Sequence, residues 1–575
     1  MVRQGRMMRF AILALLASTG AAAAATPDHG YADLVFKGGK IITVDAAGST
    51  ADAVAVQGNR IVAVGAGAVS GWVGPSTRSV DLKGKTLLPG FIDSHSRVSG
   101  MANVEAHYIN IQVPPLKDGD AIIARLKEAQ KSRPKGAWLI GQGTYNQVMP
   151  TREQLDHAFP DTPVDLMWSV HDHLINHSAS VALGMTRTFP DPPAGSTGQY
   201  ERTADGEVKI TRDAPIALPA PKFTYAEMKG AVRDILQKFY LERGVTTVSD
   251  MSEPETYKAY QELEDEGRLP TRVRMSYILP NGPGAPGVAA EATMNALQRT
   301  GLHTGFGDDM LRLGAIKIIL DGVWGTTAAV YKPFWNGSGT TWRSGNVGGT
   351  SMDQDTLTRI VTTARKAGWQ FQIHANGDRA QDMVLNAYEA AQAAAPSADP
   401  RFRIEHLSHF LVQDERTTAR LNRMVRDHVI PSAQPAFLWR LTDVNIQEPD
   451  VKFFALKDMI ALGLHPAGGV DTVGTQNYAT YPMFSIARAV GRRTKYGKVI
   501  QPEQAISVMD GIRMFTIWAA QANFLDKQLG SIEVGKLADF VVLDRDPLTT
   551  PADDLGDIPV DMTVLDGKVA YTKVR

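Results

Sequence analysis

The chain is 575 residues long, with 60 Lys and Arg against 61 Asp and Glu, 43% apolar and 21% charged residues, and a formal net charge of −1. Its length points to two or more domains of ordinary globular composition, and its near-neutral charge leaves no field to gather nucleic acid or an anionic membrane. Cysteine is absent, which excludes disulfides, a thiolate nucleophile and thiolate ligands, so any metal falls to His, carboxylate or modified Lys.

Residues 1–25 read as a bacterial Sec-type signal peptide. Arg3, Arg6 and Arg9 form a positive leader, Phe10 to Leu16 an apolar stretch, and Ala22-Ala23-Ala24 a small-residue cleavage site. The apolar stretch is too short to remain as a span of a bilayer about 30 Å thick. A periplasmic or secreted protein without a stable membrane span is expected after processing; a retained N-terminal anchor is the alternative.

Residues 26–88 carry short alternating runs, DLVFKGGKIITVD and DAVAVQGNRIVAVG, and hairpins are expected at Gly38-Gly39 and Gly58-Asn59. Residues 526–575 have the same texture, in GSIEVGKLADFVVLDRDP and VDMTVLDGKVAYTKV. Neither end has enough strands for a core of its own. One β-sandwich closed by both ends of the chain is the economical solution.

Residues 89–525 hold eight strand-like runs: Gly90–His95, Val245–Asp250, Arg272–Ile278, Leu313–Leu320, Gln370–Ala375, Phe402–Leu407, Val429–Gln434 and Pro466–Asp471. Most from the second onward precede a helical pattern. The clearest runs from Thr356 to Ala367, with Leu357, Ile360, Val361 and Ala364 on one face and Gly368 as the stop. Eight strand–helix repeats predict an α/β fold, a closed (β/α)8 TIM barrel. About 150 residues separate the first two runs, against a usual βα connection of about 2–6. That stretch is expected to be an inserted lobe, at about 98–225, overhanging the site and helping to set substrate choice.

His95, Lys317, His374, His406 and Asp471 each stand at the end of one of these runs, where such barrels carry their chemistry. Imidazole binds zinc at about 2.0–2.1 Å, and His374 and His406 can meet at one ion; a lone histidine would more simply be satisfied by hydrogen bonds. Lys317 interrupts the apolar run AIKIIL. Burial lowers the pKa of such an amine, and the neutral amine can add carbon dioxide to give an anionic, metal-binding carbamate. An ion pair with Asp321 or Glu405 is the competing account of Lys317. Asp471, after Gly468 and Gly469, can take a proton from metal-activated water and pass it to a leaving amine, or merely cap the next helix.

The motifs LLPGFIDSH, GVTTVSDM, IKIILDG, IHANGDRAQDMVLNAYEAA, FRIEHL, SAQP, GGVDT and GSIEVGKLADFVVLDRDP resemble the amidohydrolase superfamily, specifically amidohydrolase family 3 (YtcJ-like). The resemblance covers essentially all of the chain after residue 25, in order. It implies a metal-dependent hydrolase in which His374 and His406 bind one metal and Lys317 is a carbamylated bridging ligand. His95 and Asp471 would belong to a second site, with Asp471 also the proton shuttle. It also places a substrate-facing histidine near His173.

Arg97 departs from the pattern, which has His-x-His where this chain reads His95-Ser96-Arg97. A guanidinium stays protonated and cannot ligate a cation. A single divalent ion, zinc by expectation, held by Lys317, His374 and His406 is therefore predicted, with Arg97 supplying fixed positive charge or anchoring a substrate carboxylate. His171, His173 and His177 in HDHLINH would place two imidazoles four apart on a helix face, without the Glu of a zinc helix. Trp168, Trp324, Trp342 and Trp439 are candidates for an apolar pocket or for packing, and Asn336 to Gly339 is expected to be a loop.

The predicted activity is hydrolysis of a C–N bond in a small amide or N-acyl compound by metal-activated water. A lactone or ester hydrolase on the same apparatus, and a non-hydrolytic or altered homologue because of Arg97, are the alternatives. A homodimer is compatible with all of these features.

Overall fold

Eight strands pair in parallel around the centre of the molecule. In chain order they are β1 (Phe91–Ser96), β2 (Val245–Asp250), β3 (Arg272–Ile278), β4 (Leu311–Ile319), β5 (Phe371–His374), β6 (Arg403–Glu405), β7 (Ile430–Ala433) and β8 (Ala467–Gly468). This computed structural model describes residues 30–574, apart from 114, 145–146, 169–171, 193–198, 213–223, 281–285, 326, 335–344, 442–449 and 473–476. Residues 1–25, His171, Trp342 and Asn336 to Gly339 therefore lie outside the described residues.

The barrel is nearly closed. No ladder joins β8 to β1; instead Asp471 N donates to His95 O at 2.8 Å and Ser94 Oγ to Gly468 O at 2.5 Å. Buried Asp93 adds a clamp, its Oδ1 accepting from His95 N at 3.0 Å and Val470 N at 3.1 Å. The seam needs glycine, because a Cβ on Gly469 would stand 2.5 Å from His95 Cβ. Within the ladder, Ile278 is opposite Lys317, Ile319 opposite His374, and His374 opposite Glu405. Parallel pairing thus brings residues far apart in sequence to one level at the strand C-termini.

The helix Gln354–Lys366 shows why the outer layer forms. Asp353 caps it by accepting from Thr356 N at 2.8 Å, and Gly368 ends it at φ 83°, a left-handed conformation that glycine adopts without a Cβ clash. Its Leu357, Ile360, Val361 and Ala364 are fully buried with Ile316, Ile318, Phe371 and Ile373 of the barrel. Each large side chain removed from water there contributes about 1.5–3 kcal/mol.

Both ends of the chain enter a second, eight-stranded sheet, where Phe540–Leu543 pairs antiparallel with Thr86–Pro89. Gly58-Asn59 turns the hairpin between Thr50–Gln57 and Arg60–Val64. Gly38-Gly39 does not turn a hairpin. It lies inside the strand Leu34–Ile42, at a register shift between Lys37 and Ile41, and there the strand changes parallel partner from Arg78–Asp81 to Thr86–Pro89. Glycine is required because a Cβ on Gly39 would meet Lys85 O at 2.3 Å.

Between β1 and β2 a separate six-stranded sheet forms the lobe, ordered Gln199–Arg202, Val208–Arg212, Asp172–Ile175, Val164–Met167, Leu139–Gln142 and Ile109–Asn110. Within HDHLINH, residues 172–177 do not form one helix. His173 lies on the strand Asp172–Ile175, and His177 opens the short helix His177–Ala182, which Asn176 caps. Asn176 breaks the periodicity because its side chain accepts from Ala179 N and donates to Phe159 O and Thr162 O, so His173 and His177 share no helix face.

Candidate active site

His95 is fully buried at the end of β1, with Nδ1 against Glu405 Oε2 on β6 across the barrel. The Nδ1 proton donates to that carboxylate, which leaves the Nε2 lone pair inward, 3.3 Å from Asp471 Oδ1. Glu405 Oε1 accepts from Arg403 Nε at 2.9 Å. Burial would raise the Glu405 carboxyl, but the Arg403 charge and the hydrogen bond from His95 outweigh it and hold the group well below the usual carboxylate range.

His406 follows β6 in a left-handed conformation, φ 68°, which a non-glycine residue adopts only when its surroundings impose it. Gln434 supplies part of that constraint. Its Oε1 accepts from His406 Nδ1 at 2.7 Å, and its backbone N donates to buried His409 Nε2 at 3.0 Å. His406 Nε2 is left buried with no hydrogen-bond partner. His374, ending β5, has its ring centroid 4.5 Å from that of His406. Its Nε2 faces Gly322 O at 3.3 Å, and its Nδ1 is buried without a partner. Burial and the charge of Lys317 push the His374 imidazolium down to about 3, and His406 is likewise pushed well below its usual value by burial and the neighbouring imidazoles. Both rings are neutral near pH 7, the form that ligates.

Lys317 is fully buried, and its Nζ has no hydrogen-bond partner. Asp321 does not pair with it, for that carboxylate accepts from Ala329 N, Asn376 N and Gly377 N at 2.8–2.9 Å. Burial, reinforced by Arg97 and Arg403 and opposed by Glu405 and Asp471, lowers the amine to about 7.

Asp471 follows β8, also left-handed at φ 43°. Its Oδ1 accepts from Arg97 Nε at 2.7 Å, while Oδ2 stands 3.9 Å from His406 Nε2. Burial acts to raise this carboxyl, yet Arg97 and His95 hold it well below its ordinary value.

These residues fit a divalent cation. His95 Nε2, His374 Nδ1, His406 Nε2 and Lys317 Nζ are buried polar atoms without hydrogen-bond partners, a costly condition that a bound cation or carbamate would relieve. Among the described residues, His95, His406 and Asp471 form a group whose ligand atoms all lie within 4.8 Å of one another. His95 thus stands nearer the centre than a site of Lys317, His374 and His406 alone implies. Against the histidines runs an aromatic wall. Trp324 stacks on Phe410 at 4.6 Å, and His409 lies 5.1 Å from His406 and 6.0 Å from Phe410.

A profile of the amidohydrolase family matches residues 78–571. The chain belongs to the amidohydrolase family. It is 28% identical over 568 residues to the Bacillus subtilis (strain 168) protein named as an amidohydrolase, YtcJ, covering 94% of this chain and 99% of that one. Similarity to the N-substituted formamide deformylase of Arthrobacter pascens is 28% over 562 residues, 94% of this chain and 98% of the relative. Protein LONG AFTER FAR-RED 3 of Arabidopsis thaliana is 30% identical over 543 residues, 90% and 88%. The barrel fold is shared with an uncharacterized metal-dependent hydrolase from Pyrococcus furiosus, at TM-score 0.65 and 24% identity over 90% of this chain and 100% of that one.

In this amidohydrolase, His173 is placed inside the lobe, its Nδ1 3.0 Å from Asp165 Oδ2 on the neighbouring strand. Among the described residues it makes no hydrogen bond to His95, His374, His406 or Asp471. The lobe reaches the segment after Asp471 elsewhere: Asn477 donates to Glu105, and Tyr478 hydrogen-bonds Thr144. Trp168 Nε1 donates to Gln147 O at 3.0 Å, and Trp439 packs edge-on against Phe484. Sequence reasoning passed over Gln434 and Asp93 and treated Glu405 only as a partner for Lys317. The sequence signal for Glu405 was its position immediately before His406 in RIEH.

Proposed function

We propose that this amidohydrolase hydrolyses a C–N bond in a small amide or N-acyl compound, such as an N-substituted formamide, after export to the periplasm. The observation that carries the reading is the group of buried, unpartnered atoms of His95, His374, His406 and Lys317 at one end of the barrel. One divalent ion, zinc by the chemistry of a histidine-rich set, would be held among His406, His374 and His95, with Lys317 joining as its carbamate. A cation there supplies Lewis acidity to a carbonyl and makes water a stronger acid.

The protein's own part follows from the geometry. Asp471 is ionised at neutral pH, and Arg97 occupies its Oδ1, so Oδ2 is the oxygen that takes a proton and later returns it to the leaving amine. Glu405 and Gln434 fix the ring orientation of His95 and His406 through their Nδ1 protons. Trp324 and Phe410 offer an apolar surface for the substituent of the substrate. The similarity to a formamide deformylase over most of both chains supports C–N cleavage, and the leader-like residues 1–25 support export.

The Arg97–Asp471 contact favours one other reading, an altered or non-hydrolytic enzyme whose carboxylate is tied up. Lactones and esters remain substrates that the same apparatus would admit. Purified mature protein, assayed for metal content and for release of amine from N-substituted formamides and other N-acyl compounds beside lactones, tests all three. Amine release lost in His406→Ala supports the proposal; metal-free protein that turns over no amide overturns it.

A further inference from the structure

A cavity of about 340 Å3 opens at the N-terminal end of the barrel strands, opposite the candidate metal ligands, between the starts of β3, β4 and β5. Arg274, Arg312 and Arg365 line it together with Trp369, Asp399 and Phe524. Arg274 and Arg312 are register partners. Lys317 is five residues further along β4, which puts the cavity about 16 Å from the candidate metal ligands at about 3.3 Å per residue.

Arg274 is 2% exposed and has no carboxylate in ion-pair range among the described residues. Its Nη1 and Nη2 donate to the carbonyls of Val273 and Asp309 at 3.1 Å, and its Nε is buried with no partner. Among the described residues Arg365 donates only to Ala395 O, at 3.2 Å. The carboxylates nearby are committed: Asp309 to Arg312 at 3.1 Å and Asp399 to Arg401 at 2.8 Å. Trp369 Nε1 is a further buried donor without a partner. Burial and the neighbouring Arg312 and Arg272, opposed by the charges of Asp309 and Asp308, push the Arg274 guanidinium down to about 9, so its positive charge is only partly balanced and no carboxylate among the described residues pairs with it.

We infer that this cavity binds a small organic anion, a single carboxylate on an apolar or aromatic body, with Arg274 and Arg365 gripping the carboxylate. A buried cation without a counter-ion is strongly unfavourable, and one negative group in the cavity supplies it. Arginine presents a planar fork suited to a carboxylate, while Trp369 and Phe524 offer ring surface to the rest of the ligand. The volume lies in the range of about 300–1,000 Å3 usual for small-molecule sites.

The test uses the full chain with benzoate as probe, benzamide as its neutral counterpart and inorganic phosphate as a second anion, at constant ionic strength. Calorimetric titration and thermal melting should show benzoate binding and raising Tm, with no effect of benzamide. Arg365→Gln should weaken benzoate at least fivefold. Arg274→Met should abolish binding while leaving the Tm of the unliganded protein unchanged or raised. Stronger binding of phosphate than of benzoate would overturn the organic body. Absence of benzoate binding to the wild type, equal binding of benzamide, or undiminished affinity in Arg365→Gln would overturn the site, and the last holds even if Arg274→Met does not fold.

Discussion

Arg97 Nε lies 2.7 Å from Asp471 Oδ1, and the same oxygen stands 3.3 Å from His95 Nε2. A permanent cation therefore occupies the lone pairs through which that carboxylate would hold a second ion beside His95. Purified wild-type protein should carry about one tightly bound divalent ion per chain, and Arg97→His, which frees Oδ1 and adds an imidazole, should move the content towards two. Elemental analysis after dialysis checks this. Two ions in the wild type would mean that Arg97 does not block the second position.

Asp471→Asn isolates the proton from the fold. Asparagine tolerates the left-handed backbone at φ 43° better than most residues do, and it keeps an oxygen to accept from Arg97. It cannot take up a proton. Turnover of the amide substrate should fall about 10²–10⁴-fold, while far-ultraviolet circular dichroism and metal content stay near wild type. A variant with near-normal kcat would remove Asp471 from the mechanism.

The eight strands were legible because each is an apolar run and most from the second onward precede a helical pattern, and the strand ends located the five candidate residues. What sequence could not carry was partnership across the ring. His95 and Glu405 are 310 positions apart, and no periodicity in either strand announces that they touch. Gln434 was hidden for the same reason: it ends an unremarkable run, and its role exists only because β6 and β7 are neighbours. Local patterns misled where glycine or a cap had a second use. Gly38-Gly39 reads as a turn but serves a bulge, and Asn176 divides a histidine-rich stretch that mimics a helix face.

Glu405→Gln should cost more stability than its size suggests. The carboxylate is wholly buried between Arg403 and His95, and its neutral replacement leaves Arg403 as an uncompensated interior charge. A loss of about 3–5 kcal/mol is expected, measurable by urea unfolding of the metal-free protein. Because glutamine has one acceptor oxygen for two donors, and Arg403 claims it, the His95 ring meets an amide N–H instead, and metal affinity should drop about 10–100-fold. Unchanged affinity would show that His95 orientation does not depend on Glu405.

The His173–Asp165 pair predicts a pH dependence confined to the lobe. Burial lowers the His173 pKa and is the largest single influence, but the charge and hydrogen bond of Asp165, with the charge of Asp172, together exceed it, so the folded value is raised above the unfolded one of about 6.5. A raised imidazolium contributes stability that is fully present below about pH 6.5 and is lost as pH climbs through the folded value. The Tm advantage of wild type over His173→Gln should therefore be greatest near pH 5.5 and shrink steadily towards pH 8.5. Calorimetric melts of both proteins at matched ionic strength provide the comparison. An advantage that is flat, or that grows with pH, would mean the imidazole is held neutral beside Asp165 and that its role in the lobe is packing alone.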